Sequence, residues 1–88
     1  MEKKSVWHLN PDFIFEFIDS KLTVFDAEKS FLYTFNETAS YIFKLLKKNN
    51  SKQQIIEKIK KRYKVTEARA KADFEALIGK MRQMKIIT

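Results

Sequence analysis

Residues 31–46, FLYTFNETASYIFKLL, contain the point at which the chain changes from the two-residue period of a strand to the period of a helix. Phe31, Tyr33 and Phe35 alternate along the first part, which predicts a strand with three aromatic rings on one side. Asn36 follows as a good helix N-cap. The apolar residues after it recur at the i, i+3, i+4 and i+7 spacing of one helical face: Ala39, Ile42, Phe43 and Leu46.

Two more strands are predicted upstream of this segment. In residues 13–18, FIFEFI, the three phenylalanines fall on one side of a strand, and residues 22–25, LTVF, have the β-branched and aromatic composition of another. Asp19 and Ser20 are expected to form a tight turn, and residues 26–30 a longer loop. Connections this short make neighbouring strands antiparallel, so the third strand should lie at one edge of the sheet.

Two more helices are predicted downstream. Residues 51–54, SKQQ, match a capping box, and Thr66 is expected to cap a third helix over residues 67–84. The apolar stripe of the second helix consists of Ile55, Ile56, Ile59 and Tyr63. That of the third consists of Ala70, Phe74, Leu77, Ile78 and Met81. The expected fold is α+β, a three-stranded antiparallel sheet followed by three helices on one of its faces, in a single domain over residues 1–88.

The residue inventory argues against catalysis and against a bound cofactor. The chain has no cysteine and one histidine, His8, so a zinc or haem site would lack ligands. It has no phosphate-binding glycine loop and no carboxylate pair that spacing brings together, so it is not expected to be an enzyme. The apolar runs are too short to cross a membrane, and the first residues do not have the pattern of a signal peptide. We therefore expect a cytoplasmic protein without metal or cofactor.

The positive charge is concentrated in one block. Residues 44–64 contain nine of the eighteen lysines and arginines but only one of the eleven acidic residues, Glu57. Such a block either attracts an acidic partner or is a solvated, lysine-rich surface. The pI of about 9.7 and the last two helices, which suggest a helix-turn-helix, make a DNA-binding regulator the alternative function. The charge of the last helix argues against DNA binding. The second helix of such a motif enters the major groove, and here that helix has nearly balanced charge.

The ordered set of motifs resembles that of PqqD-like proteins. Residues 35–46 resemble the family's Leu-Asn-x-Thr-Ala…Ile-Trp-x-Leu-Leu signature, and residues 54–59 resemble its Glu-Ile-Ile helix. Residues 63–65 resemble its Tyr-x-Val step. The chain departs from the family at Phe35, where leucine is usual, at Phe43, where tryptophan is frequent, and at Asn49-Asn50, where a glycine is usual. These substitutions keep size or turn chemistry, and they leave the biosynthetic pathway unassigned.

The resemblance implies a winged helix-turn-helix-like recognition element for ribosomally made, modified peptides. In that family the leader of a precursor peptide adds as a strand to the third strand and lies against the third helix. A partner enzyme, a radical-SAM maturase or a leader peptidase, then modifies the tethered peptide. The resemblance thus implies two partners, the leader peptide and the maturation enzyme. The chain itself is expected to be a monomer or a weak homodimer, because an unpaired edge strand can pair with another copy of itself.

The residues that would form such a peptide-binding site lie on one strand and one helix flank. An edge strand offers unpaired backbone groups, and a groove uses the flank of a helix rather than the centre of its apolar stripe. On α-helical spacing, Met81 falls between core and groove. The predicted peptide-binding residues are Phe31, Leu32, Tyr33, Thr34, Phe35, Asp73, Leu77, Met81 and Met84. Alternatively, the rings and methionines belong to the core, and Asp73 is a solvated helix charge.

Overall fold

The computed structural model describes residues 8–87, which form three antiparallel strands followed by three helices. The strands are β1 (Phe13–Ile18), β2 (Lys21–Asp26) and β3 (Phe31–Thr34). The helices are α1 (Glu37–Lys47), α2 (Lys52–Tyr63) and α3 (Glu67–Gln83). The sheet order is β1-β2-β3, so β2 is central and β1 and β3 are the edge strands. The predicted α+β class and the order of the elements are confirmed.

Short polar turns determine the register of the sheet. Asp19 and Ser20 both have left-handed backbone angles, with φ of 52° and 66°, as a two-residue hairpin that matches the strand twist requires. The Asp26 carboxylate accepts hydrogen bonds from the N–H groups of Glu28 and Lys29, at 3.0 and 3.3 Å, and so stabilises the second turn. Strand β2 is one residue longer at each end than predicted, because the outermost residues of β1 pair with Lys21 and Asp26.

The junction between β3 and α1 is fixed to the central strand by hydrogen bonds. The Phe35 N–H donates to the Leu22 carbonyl at 2.8 Å, and the Leu22 N–H donates to Ser40 Oγ at 2.6 Å. Ser40 Oγ in turn donates to the carbonyl of Asn36 at 2.7 Å, while Asn36 Oδ1 accepts from the N–H of Ala39 at 2.8 Å. The prediction that the third strand includes Phe35 is wrong: the strand ends at Thr34, because the chain turns there into the cap of α1.

The first two helices end at residues that adopt left-handed backbone angles although they are not glycine. Asn49, just after α1, has a φ of 61°, and Lys64 at the end of α2 has a φ of 53°. The capping box of α2 is present, since Ser51 and Gln54 each accept a hydrogen bond from the other's backbone N–H, at 3.2 and 2.8 Å. Thr66 caps α3, which ends at Gln83, one residue earlier than predicted.

The core lies between the inner face of the sheet and the three helices. The Phe15 ring stacks on that of Phe43, with centroids 5.2 Å apart, and Phe43 and Phe74 are fully or almost fully buried. The predicted helical stripes supply most of the other buried side chains, which include Ile42, Leu46, Ile55, Ile56, Ile59, Ala70, Leu77, Ile78 and Met81. Removing a large side chain such as Phe43 would cost about 3–5 kcal/mol.

Two ion pairs connect α2 to α3 at the surface. Lys52 donates to Glu75 at 2.7 Å, and this hydrogen bond holds the pKa of the Glu75 carboxyl below its usual range. Lys60 donates to Glu67 at 3.3 Å, which raises the pKa of the Lys60 ammonium. Both pairs are solvent-exposed, so they contribute little to stability. Among the described residues, none of the helices has the length and apolar character needed to cross a membrane.

Candidate functional site

The open edge of β3 presents backbone groups without a partner strand. In an antiparallel pair, residues alternate between pointing their N–H and C=O groups at the neighbour and pointing them away. Because the Phe35 N–H donates to the Leu22 carbonyl of β2, the backbone N–H and C=O groups of Tyr33 and Phe31 also point towards β2. The N–H and C=O groups of Leu32 and Thr34 therefore point out of the sheet edge, where a further strand would find them.

A cleft of about 290 Å³ separates the end of β3 from α3; we call it the Leu77 cleft. Its apolar lining is formed by Phe35, Ala39, Ile42, Ala76 and Leu77. Its polar lining is formed by Tyr33, Asn36, Thr38, Arg69, Asp73 and Lys80. A cleft with about equal apolar and polar lining suits a side chain that is apolar in part and flanked by groups that hydrogen-bond.

A second cleft, of about 200 Å³, lies beside the start of β3; we call it the Met84 cleft. Its lining comes from the sheet, the β2–β3 turn and the end of α3: Phe13, Val24, Asp26, Lys29, Phe31, Gln83, Met84 and Lys85. Methionine adapts to partners of different shape, which suits a site for varied apolar side chains. The two clefts lie along the same strand and the same helix, and together we call them the β3–α3 groove.

Aromatic contacts and one lysine join the two clefts. The Lys80 ammonium lies 5.0 Å from the centroid of the Tyr33 ring, and Tyr33 meets Phe35 edge-on at 4.7 Å. Phe31 stacks on Tyr33 with centroids 6.5 Å apart. These rings cover one side of β3 with a continuous apolar surface between the Leu77 cleft and the Met84 cleft.

The five predicted strand residues differ in exposure and in the direction that they face. Phe31 and Leu32 are 49% and 61% exposed, Thr34 is exposed and Tyr33 is half-buried. Phe35 is 5% exposed and lines the Leu77 cleft, although it lies beyond the strand. Phe31, Tyr33 and Phe35 thus face the groove, whereas Leu32 and Thr34 contribute their outward backbone groups.

Three of the four predicted helix residues lie beside the groove. Asp73 and Leu77 line the Leu77 cleft, where Asp73 Oδ1 accepts a hydrogen bond from Arg69 Nε at 3.3 Å. Met84 lines the other cleft. Met81, predicted to lie between core and groove, is fully buried at 0% exposure and lines neither cleft, so the structure places it in the core.

Sequence reasoning missed three residues on the same helix flank. Arg69, Ala76 and Lys80 are exposed and line the Leu77 cleft. They lie four residues before Asp73 and three and seven residues after it, which is the spacing of one helical face. Extending the flank by that spacing to small and charged residues, rather than to apolar ones only, would have found all three.

The groove contains no arrangement that indicates a metal site. Within residues 8–87, no group of three or more His, Asp or Glu side chains could hold a metal ion. The side chains beside the groove can bind by apolar contact, by hydrogen bonding and by charge.

Comparison with known proteins gives the family of this chain. The family described as coenzyme PQQ synthesis protein D (PqqD) matches residues 21–87, which is more than half of the chain. The chain therefore belongs to the PqqD family, as its motifs predicted.

Two solved structures have the same fold. One is a lasso peptide synthetase B1 complexed with the leader peptide, with a TM-score of 0.88 and 19% identity over 96% of this chain and 99% of that one. The other is TbiB1 in complex with the TbiA(beta) leader peptide, with a TM-score of 0.82 and 14% identity over 91% of this chain and 93% of that one. No protein with a curated description matches the chain.

Proposed function

We propose that this protein binds the leader segment of a ribosomally synthesised precursor peptide in the β3–α3 groove and presents it to a partner modifying enzyme. The observation that carries the proposal is the open edge of β3 with two clefts beside it, of which the Met84 cleft is the more apolar. Membership of the PqqD family supports it. So do the two proteins of like fold, each of which was solved with a leader peptide.

The leader binds by adding a strand to β3. Its backbone pairs with the outward N–H and C=O groups of Leu32 and Thr34, which supplies affinity that does not depend on sequence. Alternate side chains of an added strand point to the same side, about 6–7 Å apart. The side chains that face α3 enter the Leu77 cleft and the Met84 cleft, so the spacing of apolar residues in the leader sets specificity.

The open strand edge and the family lead us to expect a dissociation constant in the sub-micromolar to micromolar range, about −8 kcal/mol at 1 μM. Burying one Leu- or Phe-sized side chain contributes about 1.5–3 kcal/mol, and each net backbone hydrogen bond about 1 kcal/mol. Two anchors and a few strand bonds thus contribute about 6–10 kcal/mol before the cost of ordering the peptide is subtracted, so this affinity requires contacts along the whole groove.

The role of the protein towards its enzyme is to raise the local concentration of the substrate. A leader held in the groove leaves the remainder of the precursor free to reach a catalytic site that a partner supplies. A flexible tether of this kind gives effective concentrations in the millimolar range. The partner is a radical-SAM maturase or a leader peptidase in the biosynthesis of a peptide natural product.

Calorimetric titration with the leader encoded beside this gene tests the proposal, together with the backbone amide shifts of residues 31–34. Binding with a dissociation constant of micromolar order or tighter, and shifts concentrated in β3 and α3, is the expected result. A leader that produces no heat and leaves the β3 amides unchanged would refute it.

A further inference from the structure

The second open edge of the sheet, formed by β1, is unusually apolar. The residues of β2 opposite Phe15 and Phe17 direct their backbone groups towards β3, so the backbone groups of Phe15 and Phe17 point out of the β1 edge. Phe17 and Ile18 are 38% and 57% exposed, and Glu16 is the one charged residue of the strand. Edge strands usually carry lysine, proline or a bulge that prevents pairing, and β1 has none of these.

Two cations lie on the helix side of this edge, near the β1–β2 turn. The Lys44 ammonium lies 5.1 Å from the Phe17 ring centroid, and the Arg62 guanidinium lies 4.5 Å from that of Tyr41. The first contact joins β1 to α1, and the second joins α1 to α2. Both cations line one small cleft of about 50 Å³ between the β1–β2 turn and these helices.

Most of the basic block lacks acidic partners within the described chain. Lys52 and Lys60 form ion pairs, whereas no carboxylate of residues 8–87 pairs with the other seven cations. These seven are Lys44, Lys47, Lys48, Lys58, Lys61, Arg62 and Lys64. Lys44 and Lys48 share the outward face of α1 with Tyr41, and Lys58, Lys61 and Arg62 share that of α2.

We infer that these features form one docking surface, the β1 face, for a strand of a partner protein in which apolar residues alternate with carboxylates. The β1 face consists of the β1 edge, with Phe17 on the helix side of the sheet and Ile18 on the other face, and of the cations on the outward faces of α1 and α2: Lys44, Lys48, Lys58, Lys61 and Arg62. The partner strand pairs with the exposed backbone, so that its apolar side chains cover Ile18 on one face while its carboxylates meet the cations on the helix side and accelerate association. The β1 face lies on the opposite edge of the sheet from the β3–α3 groove, so both can be occupied together.

The charge of the β1 face, the unpaired backbone groups of its edge strand and the cations over its rings favour a protein partner over a second copy of the chain, a lipid surface or single-stranded nucleic acid. A second copy of the chain would bring two strongly positive surfaces together, which is repulsive. A lipid surface presents no strand whose backbone could pair in register with both the N–H and the C=O groups of an open edge. Single-stranded nucleic acid stacks its bases on free aromatic faces, but Lys44 and Arg62 already lie over Phe17 and Tyr41.

The experiment uses a synthetic peptide of about ten residues in which glutamate and leucine alternate, titrated into the full chain and followed by backbone amide shifts. A peptide of the same length with serine in place of leucine is the apolar control. Lys58→Glu tests the charge, and Lys71→Glu on α3 is the matched control, because both lysines are exposed helix residues outside the described ion pairs. Ile18→Ser tests the apolar contact.

The expected result is a set of shifts at Phe17, Ile18 and Lys44, with affinity reduced about tenfold by Lys58→Glu, about threefold by Ile18→Ser and less than twofold by Lys71→Glu. Shifts in β3 instead, equal effects of the two lysine reversals, or tighter binding to duplex DNA, single-stranded RNA or phosphatidylserine vesicles would overturn the inference. Leader binding, measured separately, should be the same in all three variants, so failure of the β1 face and failure of the groove are distinguishable.

Discussion

The Lys80 ammonium of α3 lies 5.0 Å from the centroid of the Tyr33 ring, and this contact joins the third helix to the edge strand between the two clefts of the groove. A cation over an aromatic face at an exposed site contributes about 0.5–1 kcal/mol. The contact thus helps to hold the two walls of the groove together without filling either cleft.

Lys80→Ala and Tyr33→Leu, alone and combined, should show a coupling of about 0.5–1 kcal/mol in the free energy of unfolding. Chemical denaturation followed by circular dichroism measures the three variants. Lys71→Ala combined with Tyr33→Leu is the control and should show no coupling. Strictly additive effects of the Lys80 and Tyr33 changes would mean that the contact contributes nothing.

Leu32→Pro should weaken leader binding about tenfold while leaving the protein folded. Proline removes the N–H that points out of the β3 edge, and an edge strand tolerates proline where the N–H faces solvent. Leu32→Ala removes the exposed side chain but keeps the N–H, so its affinity should remain within about threefold of the original. Calorimetry gives both affinities; equal losses would argue against strand addition.

Ala76→Phe should fill the Leu77 cleft and reduce leader affinity at least tenfold without lowering the melting temperature. Ala76 is exposed and lines the cleft, whereas Leu77 is only 4% exposed, so changing Leu77 would disturb the core as well. Ala72→Phe, at an exposed position of α3 outside the cleft, is the matched control. Unchanged leader binding by Ala76→Phe would remove this cleft from the site.

Ser40→Ala should destabilise the protein by about 1–3 kcal/mol, because it leaves the Leu22 N–H without its buried acceptor. Ser51→Ala, which removes the cap of α2, should cost about 1 kcal/mol. Thermal and urea unfolding compare the two. A Ser40 variant as stable as the original would show that water replaces the hydroxyl.

Acid should weaken the contact between α2 and α3 through Glu75. Its pKa is lowered in the folded state by the Lys52 hydrogen bond, so its contribution is present above the usual carboxyl pKa and is lost as the pH falls through the lowered value. Glu75→Gln should therefore have a melting temperature that changes less between neutral pH and pH of about 3 than that of the original protein. Parallel melting curves at every pH would contradict this assignment.

Periodicity was sufficient to predict the elements and most of the helical part of the core, because the stripes of the helices follow the helical repeat. The caps at Asn36, Ser51 and Thr66 could also be predicted, since each side chain bonds to backbone close to it in sequence. Contacts between distant segments could not be predicted. Ser40 of α1 accepts the hydrogen bond of the Leu22 N–H in the central strand, and no local pattern encodes that contact.

The groove was only partly predictable for a similar reason. Edge position followed from strand order, which placed Phe31, Leu32, Tyr33 and Thr34 correctly at an edge. The helix wall required the rotation of α3 about its axis, which sequence spacing gives only approximately. That rotation places Met81 in the core and brings Lys80 over the edge strand.

The bridge between Leu9 and Ile87 has a consequence for how this unit can be combined with others. Asn10 reinforces it, donating its backbone N–H to Ile86 at 2.8 Å, and it shares a cavity with Met84 beside the groove. The two ends of the described chain thus leave the fold about 5 Å apart. Ends this close together are what insertion of the unit into a surface loop of another domain requires, and they lie on the side of the fold that carries the Met84 cleft.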